Sequence, residues 1–394
     1  MLLSHMRRRT YLVPHLLFVP SLTTPIRVSL SHSLRSQLKT NLYRTNLSEY
    51  PAWAQGLNDA AQETEVPIQF CMAMPSDIML SVELDWVTNA RASDDYAGGS
   101  DNLLSMPHAA LLMWSLGIRP SKDNFWTSNV TDNPYQKNSN TPKNPGSNVE
   151  LNTIVAVLST GPVGISDKVG ATNATLIMAT CDANGRLLQP SKPLTPSERM
   201  YTTIGAEGSS AELWSTYSSV GDTTQWLTVG TRIATSLPLS AADLFPAPAP
   251  GGLPLIHRYW HSHCEDGADA IATGCIEAGV PDMRSTSRSS GTDDFAFDLI
   301  VSQVQAPDSE WVLLGELSKY TTVSSQRFTS VATGTRLVLT LAGMVGETVA
   351  VTALHKVATV GHELAALDGV GGSSFKVVVK VATMGPDGSA ALTF

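Results

Sequence analysis

Residues 86–96 read WVTNARASDDY, in which two adjacent aspartates follow a segment with the pattern of a β-strand. The apolar and β-branched residues of 86–92 predict a buried strand. Asp94 and Asp95 follow Arg91 at its carboxyl end, where neighbouring side chains of an extended backbone point in opposite directions. Each carboxylate is therefore expected to have a separate role. The alternative is that an aspartate here only caps the next helix.

Short apolar runs alternate with amphipathic stretches on both sides of this segment, from about residue 50 to residue 190. The predicted strands are 66–74, 86–92, 124–128 and 163–167. The predicted helices are 50–65, 76–83, 103–116 and 149–158, the third with Leu104, Leu111, Leu112 and Trp114 facing inward. Such alternation is typical of a parallel sheet or barrel covered by helices. In a βα barrel the reactive groups lie at the carboxyl ends of the strands, which here are the loops at 75–77, 91–96, 127–129 and 166–168.

The pattern changes at about residue 191, after which helical periodicity is scarce. Residues 210–233 predict two paired strands around Gly221 and Asp222, and residues 246–254 predict a Pro-rich linker or loop. Period-two alternation follows at 295–304, 336–341, 349–354 and 375–381. Half-buried antiparallel strands have this period, so residues 191–394 are expected to form a β-sandwich-like domain.

The first 48 residues contain seven basic and no acidic residues and are rich in serine and threonine. This composition resembles an organellar transit peptide. A secretory signal is a second interpretation, although Pro14, His15 and Pro20 interrupt its apolar core. A third is that the segment comes from an incorrect gene model and belongs to no folded domain. The compartment therefore stays open between an organelle and the outside of the cell.

The whole chain has 26 basic and 35 acidic residues, a net charge of -9 and 42% hydrophobic residues. This composition supports a sizeable folded core and argues against widespread disorder. The acidic balance argues against a general nucleic-acid binder, because binding to phosphates needs a dense basic face. The sequence has no run of 18 apolar residues, so no membrane-spanning helix is expected.

Four segments, in order, resemble the second half of the catalytic barrel in the raffinose synthase, seed-imbibition protein and alkaline α-galactosidase family of glycoside hydrolases. They are QFCM at 69–72, RASDDY at 91–96, PSKDNF at 120–125 and GPVGISDK at 161–168. The second and fourth segments are the most specific. A further segment, from Glu212 to Trp226, is similar to the start of the family's C-terminal β-domain. The resemblance covers about 130 residues well and the tail poorly.

The resemblance implies roles for individual residues. Asp95 matches the family's general acid/base, and Arg91 matches a substrate-contacting arginine four residues earlier. The other substrate-binding candidates lie in the same loops: Asp94, Asp123, Trp126, Asp167 and Lys168. Asp123 and Asp167 match acidic positions that contact sugar hydroxyls. Trp126 or Trp114 could stack on a sugar ring, although an indole in this setting also fits a core position.

One feature of the family is not matched. The family's nucleophile is an aspartate that ends a strand well upstream of the acid/base, whereas the first aspartate here, Asp59, lies in a predicted helix. The strand–helix units also number four, where a closed barrel has eight. We therefore expect residues 49–190 to form the C-terminal half of a (β/α)8 barrel, followed by an antiparallel β-sandwich at 191–394.

Two functions are compatible with this organisation. The first is a glycosidase or galactosyltransferase that acts on an oligosaccharide or glycoside by a retaining mechanism when its barrel is complete. Such a mechanism needs the acid/base and a carboxylate nucleophile about 5–5.5 Å apart. The second is a non-catalytic remnant that binds a glycan or a partner chain through its β-domain. The open edges of a half barrel would also permit self-association.

No cofactor or metal is expected. His257, His261, His263 and Cys264 could bind zinc. A polar loop is the alternative, because no second cluster completes a familiar ligand spacing. Cys264 and Cys275 could form a disulfide in an oxidising compartment.

Overall fold

The computed structural model divides the chain into two compact units, Met1–Thr172 and Asn173–Phe394. The described residues are 28–30, 49–71, 73–93, 96, 101–128, 149–204, 211–231, 237–240, 243–247, 254–258, 275–278, 282–283, 295–302, 309–357, 367–368 and 374–394. The predicted boundary is residue 190, later than the observed division. Residues after 172 belong to the second unit because they bond to it: the Lys319 amine donates to the carbonyls of Met178 and Cys181 at 2.7 and 2.8 Å.

The first unit is built on a four-stranded parallel sheet whose strands follow chain order. The strands are β1 (Val28–Leu30), β2 (Ile68–Phe70), β3 (Val87–Arg91) and β4 (Arg119–Ser121). A parallel bridge between Phe125 and Ile165 continues this order beyond β4. Within the described residues the strands do not close into a barrel.

Helices connect the successive strands of the first unit. They are α1 (Glu49–Thr64), α2 (Pro75–Leu80), α3 (Asp101–Ser115) and α4 (Val149–Leu158), with a 3-10 turn at Ser81–Glu83. Helix α4 is apolar almost all round and buries every residue from Leu151 to Leu158, as expected of a central helix. No described helix is long and apolar enough to cross a membrane.

Two of the predicted strands differ from the structure. The strand predicted at 124–128 is wrong in position, because β4 lies at 119–121 and only Phe125 makes a β bridge. Pro120 conceals β4 in the sequence, since proline has no amide N–H and argues against a central strand. The strand predicted at 163–167 is reduced to the single bridge at Ile165. The strands predicted at 66–74 and 86–92 are confirmed in shorter form.

Helix α3 buries a different face from the predicted one. Leu111, Leu112 and Trp114, predicted to face inward, are 37%, 39% and 37% exposed. The buried residues follow helical spacing and are Leu103, Met106, Ala110 and Met113. Adjacent residues of a helix point in different directions, so Leu111 and Leu112 cannot both share the face that contains Ala110.

Strand β1 comes from the basic segment 1–48. It pairs in parallel with β2, from Val28 opposite Ile68 to Leu30 opposite Phe70. Residues 28–30 of this segment therefore form part of the parallel sheet. The other residues of the segment lie outside the described part of the chain.

The second unit is rich in antiparallel strands, which form three main sheets. The largest has the order β10-β9-β12-β7-β6-β5, with β5 (Thr195–Pro196), β6 (Glu212–Val220), β7 (Thr223–Thr231), β9 (Pro254–Arg258), β10 (Cys275–Ala278) and β12 (Phe295–Ser302). A short pair joins β8 (Leu237–Pro238) to β11 (Asp282–Met283). The predicted hairpin at 210–233 is confirmed, and Gly221 adopts a φ of 57° at its turn.

Two further sheets of the second unit share one apolar core. One has the order β13-β16-β18-β17, with β13 (Trp311–Gly315), β16 (Thr348–Val357), β17 (Leu367–Asp368) and β18 (Ser374–Thr383). The other has the order β14-β15-β19, with β14 (Phe328–Ala332), β15 (Val338–Ala342) and β19 (Ser389–Thr393). Leu313 and Val351 from the first and Leu339 and Leu341 from the second are fully buried in this core. The period-two segments predicted in this region are thus confirmed as strands.

A buried ion network stabilises the second unit. The fully buried Arg327 guanidinium donates to Glu316 at 2.9 Å and to both oxygens of Glu347 at 2.9 and 2.6 Å. It also donates to the carbonyl of Ala342 at 3.0 Å. A guanidinium without water around it needs such partners, because an unpaired buried charge is strongly destabilising. The backbone must also leave room: a Cβ at Gly343 would lie 2.3 Å from the Arg327 side chain.

We expect Arg327→Met to lower the free energy of unfolding by about 3–5 kcal/mol, because it removes the guanidinium from Glu347 and, among the described residues, leaves Glu316 with only Lys319, 3.8 Å away. Urea denaturation of the full chain measures this loss. The matched control is Arg336→Met at an exposed position, where a change within about 0.5 kcal/mol is expected. A loss below about 1 kcal/mol for Arg327→Met would contradict the role of the network.

Candidate functional site

Polar side chains converge at the carboxyl edge of the parallel sheet in the first unit. Arg91 ends β3, and its Nη1 atom lies 3.6 Å from an oxygen of Asp123, which follows β4. The Arg91 side chain is 6% exposed and that of Asp123 is 19% exposed. The two strand ends are held in register because the amide of Ala92 donates to the carbonyl of Ser121 at 2.9 Å. The Asp123 carboxylate is therefore partly accessible to solvent and is paired with the buried guanidinium of Arg91.

Asp123 also organises the loop that follows β3. The amide of Tyr96 donates to Asp123 Oδ2 at 2.9 Å. In return, the amide of Asp123 donates to the hydroxyl of Ser93 at 2.8 Å. These two bonds come from either side of Asp94 and Asp95, which themselves lie outside the described residues. Asp95, the predicted acid/base, therefore lies in the sequence between two residues that both hydrogen-bond to Asp123.

Asp167 lies on the next segment along the sheet edge. Its two carboxylate oxygens accept from the amide and the hydroxyl of Thr127, at 2.7 and 2.6 Å. The amide of Ser166 donates to the carbonyl of Phe125 at 2.9 Å, which holds the two segments side by side. The segment approaches β4 closely at Gly161, where a Cβ would lie 2.2 Å from the carbonyl oxygen of Pro120. Only glycine fits there without a backbone shift.

An aromatic pair connects the loop after β3 with the segment after β4. The rings of Tyr96 and Trp126 meet edge to face, with centroids 5.2 Å apart and an interplanar angle of 88°. Trp126 is half-buried, so part of its indole reaches the surface. Burial raises the pKa of Tyr96 to about 12; the Trp126 backbone opposes this shift and the charge of Asp167 adds to it. Trp114, the other predicted stacking residue, lies in the last turn of α3.

Lys122 is the feature that sequence analysis missed. Its side chain is 4% exposed, and its Nζ atom lies 4.7 Å from the ring centroid of Tyr96 and 5.2 Å from that of Phe125. Among the described residues, no group accepts a hydrogen bond from this amine. Burial lowers the pKa of Lys122 from 10.5 to about 7, although the nearby charge of Asp123 acts in the opposite direction. The signal in the sequence was a lysine immediately before Asp123, a predicted substrate-binding residue at a strand end.

The structure brings together four of the predicted site residues: Arg91, Asp123, Trp126 and Asp167. Lys168 is exposed, and its carbonyl accepts from Ala171 in a turn. The roles of Asp94 and Asp95 stay predictions, since both residues are outside the described part of the chain. The cluster combines carboxylates, a guanidinium and a half-buried indole. Charged groups of these kinds can hydrogen-bond hydroxyls, and an indole presents an apolar face.

No group of three or more metal-binding side chains is present among the described residues. His261, His263 and Cys264 lie outside them, and for His257 the structure describes only its backbone in β9, opposite Ile276 and Leu299. The predicted disulfide between Cys264 and Cys275 is likewise untested. Cys71 and Cys181 are free thiols.

Comparison with known proteins finds no matching protein-family model and no significantly similar curated protein. The likeness to the raffinose synthase and α-galactosidase family therefore stays a prediction from the four sequence motifs.

We expect Lys122→Met to raise the free energy of unfolding most below pH 7. The buried amine has a pKa of about 7 in the folded protein against 10.5 as a model value, so the penalty of burying its charge is complete below pH 7. The penalty fades between pH 7 and pH 10.5, because the unfolded chain then binds more protons than the folded one. One pKa unit corresponds to about 1.4 kcal/mol, so a difference of a few kcal/mol is expected at pH 6.

Urea denaturation at pH 6 and pH 9.5 measures this difference. The matched control is Lys356→Met, which removes an exposed lysine and is expected to show no comparable pH dependence. An equal effect of Lys122→Met at both pH values would contradict the assignment of a lowered pKa to Lys122.

Proposed function

We propose that the chain is a glycoside-hydrolase-like protein that binds α-galactosides or related oligosaccharides at the carboxyl edge of its parallel sheet. The observation that carries the proposal is the Arg91–Asp123 pair, which lies next to an aromatic pair and an anchored second aspartate. Planar guanidinium and carboxylate groups hydrogen-bond sugar hydroxyls, and an indole stacks on a sugar ring. The four residues named by the motifs thus form one local cluster.

The fold proposed with this function is the C-terminal half of a (β/α)8 barrel, followed by an antiparallel β-sandwich. The order of the parallel strands supports the barrel. In a (β/α)8 barrel each strand neighbours the next one in sequence, whereas a doubly wound sheet reverses its order at a switch point. The described strands β1 to β4 and the bridge at Ile165 follow chain order without a reversal. The apolar core shared by two antiparallel sheets supports the sandwich.

In this proposal each residue has a separate task. Asp95 is the general acid/base, Arg91 binds and orients the substrate, and Asp123 and Asp167 accept hydrogen bonds from sugar hydroxyls. Trp126 supports one face of a sugar ring. A retaining reaction would also need a carboxylate nucleophile about 5–5.5 Å from Asp95. Saccharide binding is therefore a sharper test than turnover, since it does not require the nucleophile.

The test is isothermal titration calorimetry of the full chain with methyl α-galactoside and raffinose. Asp123→Asn is expected to weaken binding at least tenfold, because a hydrogen bond to a charged group contributes about 1.5–3 kcal/mol. The matched control is Asp222→Asn at the exposed β6–β7 turn, which should bind as the wild-type protein does. Trp126→Ala provides a second test that leaves the Arg91–Asp123 pair intact.

Two results would overturn the proposal. The first is the absence of saccharide binding by the folded wild-type chain. The second is unchanged affinity in both Asp123→Asn and Trp126→Ala, which would direct attention to glycan binding by the β-rich second unit. The acid/base role is tested separately with p-nitrophenyl α-galactoside: hydrolysis that persists in Asp95→Asn with the wild-type pH profile would exclude it.

A further inference from the structure

The amine of Lys122 is surrounded by ring faces instead of hydrogen-bond acceptors. It lies 4.7 Å from the ring centroid of Tyr96 and 5.2 Å from that of Phe125, and it has no acceptor among the described residues. An ammonium over an aromatic face is attracted by the negative charge of the ring quadrupole, most strongly where water is excluded. In this position the rings are the main described partners of the cation.

The same Tyr96 ring connects Lys122 to the surface of the site. The Tyr96 ring packs perpendicular to that of Trp126, with centroids 5.2 Å apart, and its amide is bonded to Asp123 at 2.9 Å. The Tyr96 ring therefore contacts both the cation of Lys122 and the indole of Trp126.

We propose that Lys122 is a positioning residue of the saccharide site, whose ammonium holds Tyr96 against Trp126 and so orients the indole for a sugar ring. This inference rests on the proposed function of the site. It adds that the site responds to a proton: the ammonium form of Lys122 holds the aromatic pair, and the neutral amine releases it. Lys122 acts through Tyr96 and needs no contact with the saccharide.

The charged groups around Lys122 allow this response near neutral pH. Burial lowers the pKa of Lys122 to about 7, and Asp123 on the same segment partly opposes this shift. From the β3 side, Arg91 pairs with Asp123, and Tyr96 stays protonated because its pKa is about 12. Asp167 acts on Tyr96 from the segment after α4. Asp94 and Asp95 lie outside the described residues.

The experiment follows the indole and the saccharide separately in the full chain. The chain is labelled with 5-fluorotryptophan, and the ¹⁹F resonance of Trp126, assigned with Trp126→Phe, is recorded from pH 5.5 to pH 9. Calorimetry with methyl α-galactoside covers the same range. In the wild-type protein both signals should change with a midpoint near pH 7, and the affinity should fall about fivefold, the factor that a cation–π contact typically contributes.

Two substitutions of Lys122 separate the effect of its charge from the effect of its packing. Lys122→Met should abolish the titration of the Trp126 resonance and keep the weaker affinity of the alkaline form at every pH. Lys122→Arg should also abolish the titration but keep the stronger affinity of the acidic form, because arginine stays charged. Lys192→Met is the matched control: Lys192 is another buried lysine with a lowered pKa, and its replacement should leave the Trp126 midpoint unchanged.

The inference is overturned if the wild-type resonance shows no transition near pH 7, or if the transition persists in Lys122→Met. Where Lys122→Arg does not fold, the wild-type and Lys122→Met measurements decide alone. Failure of the proposed function gives a different result. In that case no saccharide binds at any pH, while the Trp126 resonance still titrates in the wild-type protein and not in Lys122→Met.

Discussion

Asp123 is the residue on which the arrangement of the candidate site depends. The buried Arg91 guanidinium at the end of β3 needs a counter-charge, because an unpaired cation in this position would be strongly destabilising. Asp123 supplies that charge from the end of β4, and it also accepts from the amide of Tyr96 and donates its own amide to Ser93. One aspartate thus joins two strand ends to Ser93 and Tyr96, the described residues on either side of Asp94 and Asp95.

The pairing of Asp123 with Arg91 also bears on the protonation state of Lys122. Two cations, Arg91 and Lys122, lie near one described carboxylate, and the guanidinium is the one that cannot lose its proton. Lys122 is left with aromatic faces as partners, and burial favours its neutral form. Burial also favours the neutral form of Tyr96. The site therefore combines the Arg91–Asp123 ion pair and the Asp167 carboxylate with two groups, Lys122 and Tyr96, whose neutral forms burial favours.

Sequence patterns predicted the elements with strong periodicity and missed those that depend on tertiary contacts. The hairpin β6–β7 and the buried helix α4 have unambiguous patterns, and the structure confirms them. Strand β4 was predicted at the wrong position because Pro120 argues against a strand in the sequence, whereas the structure pairs this segment with β3. The proximity of Arg91, Asp123 and Asp167 could be predicted because residues at the carboxyl ends of parallel strands share one edge of the sheet. Lys122 was not found, since a lysine is normally exposed and only the packing of Tyr96 and Phe125 around it shows otherwise.

We propose that this sheet edge, and not the β-rich unit, binds the saccharide. A crystal structure of the full chain soaked with methyl α-galactoside decides between the two. We expect a sugar at the carboxyl edge of β3 and β4, with a hydroxyl within hydrogen-bond distance of Asp123 and a ring face against Trp126. A sugar bound only to the second unit, or an empty edge at a concentration that saturates binding in solution, would exclude the edge as the saccharide site.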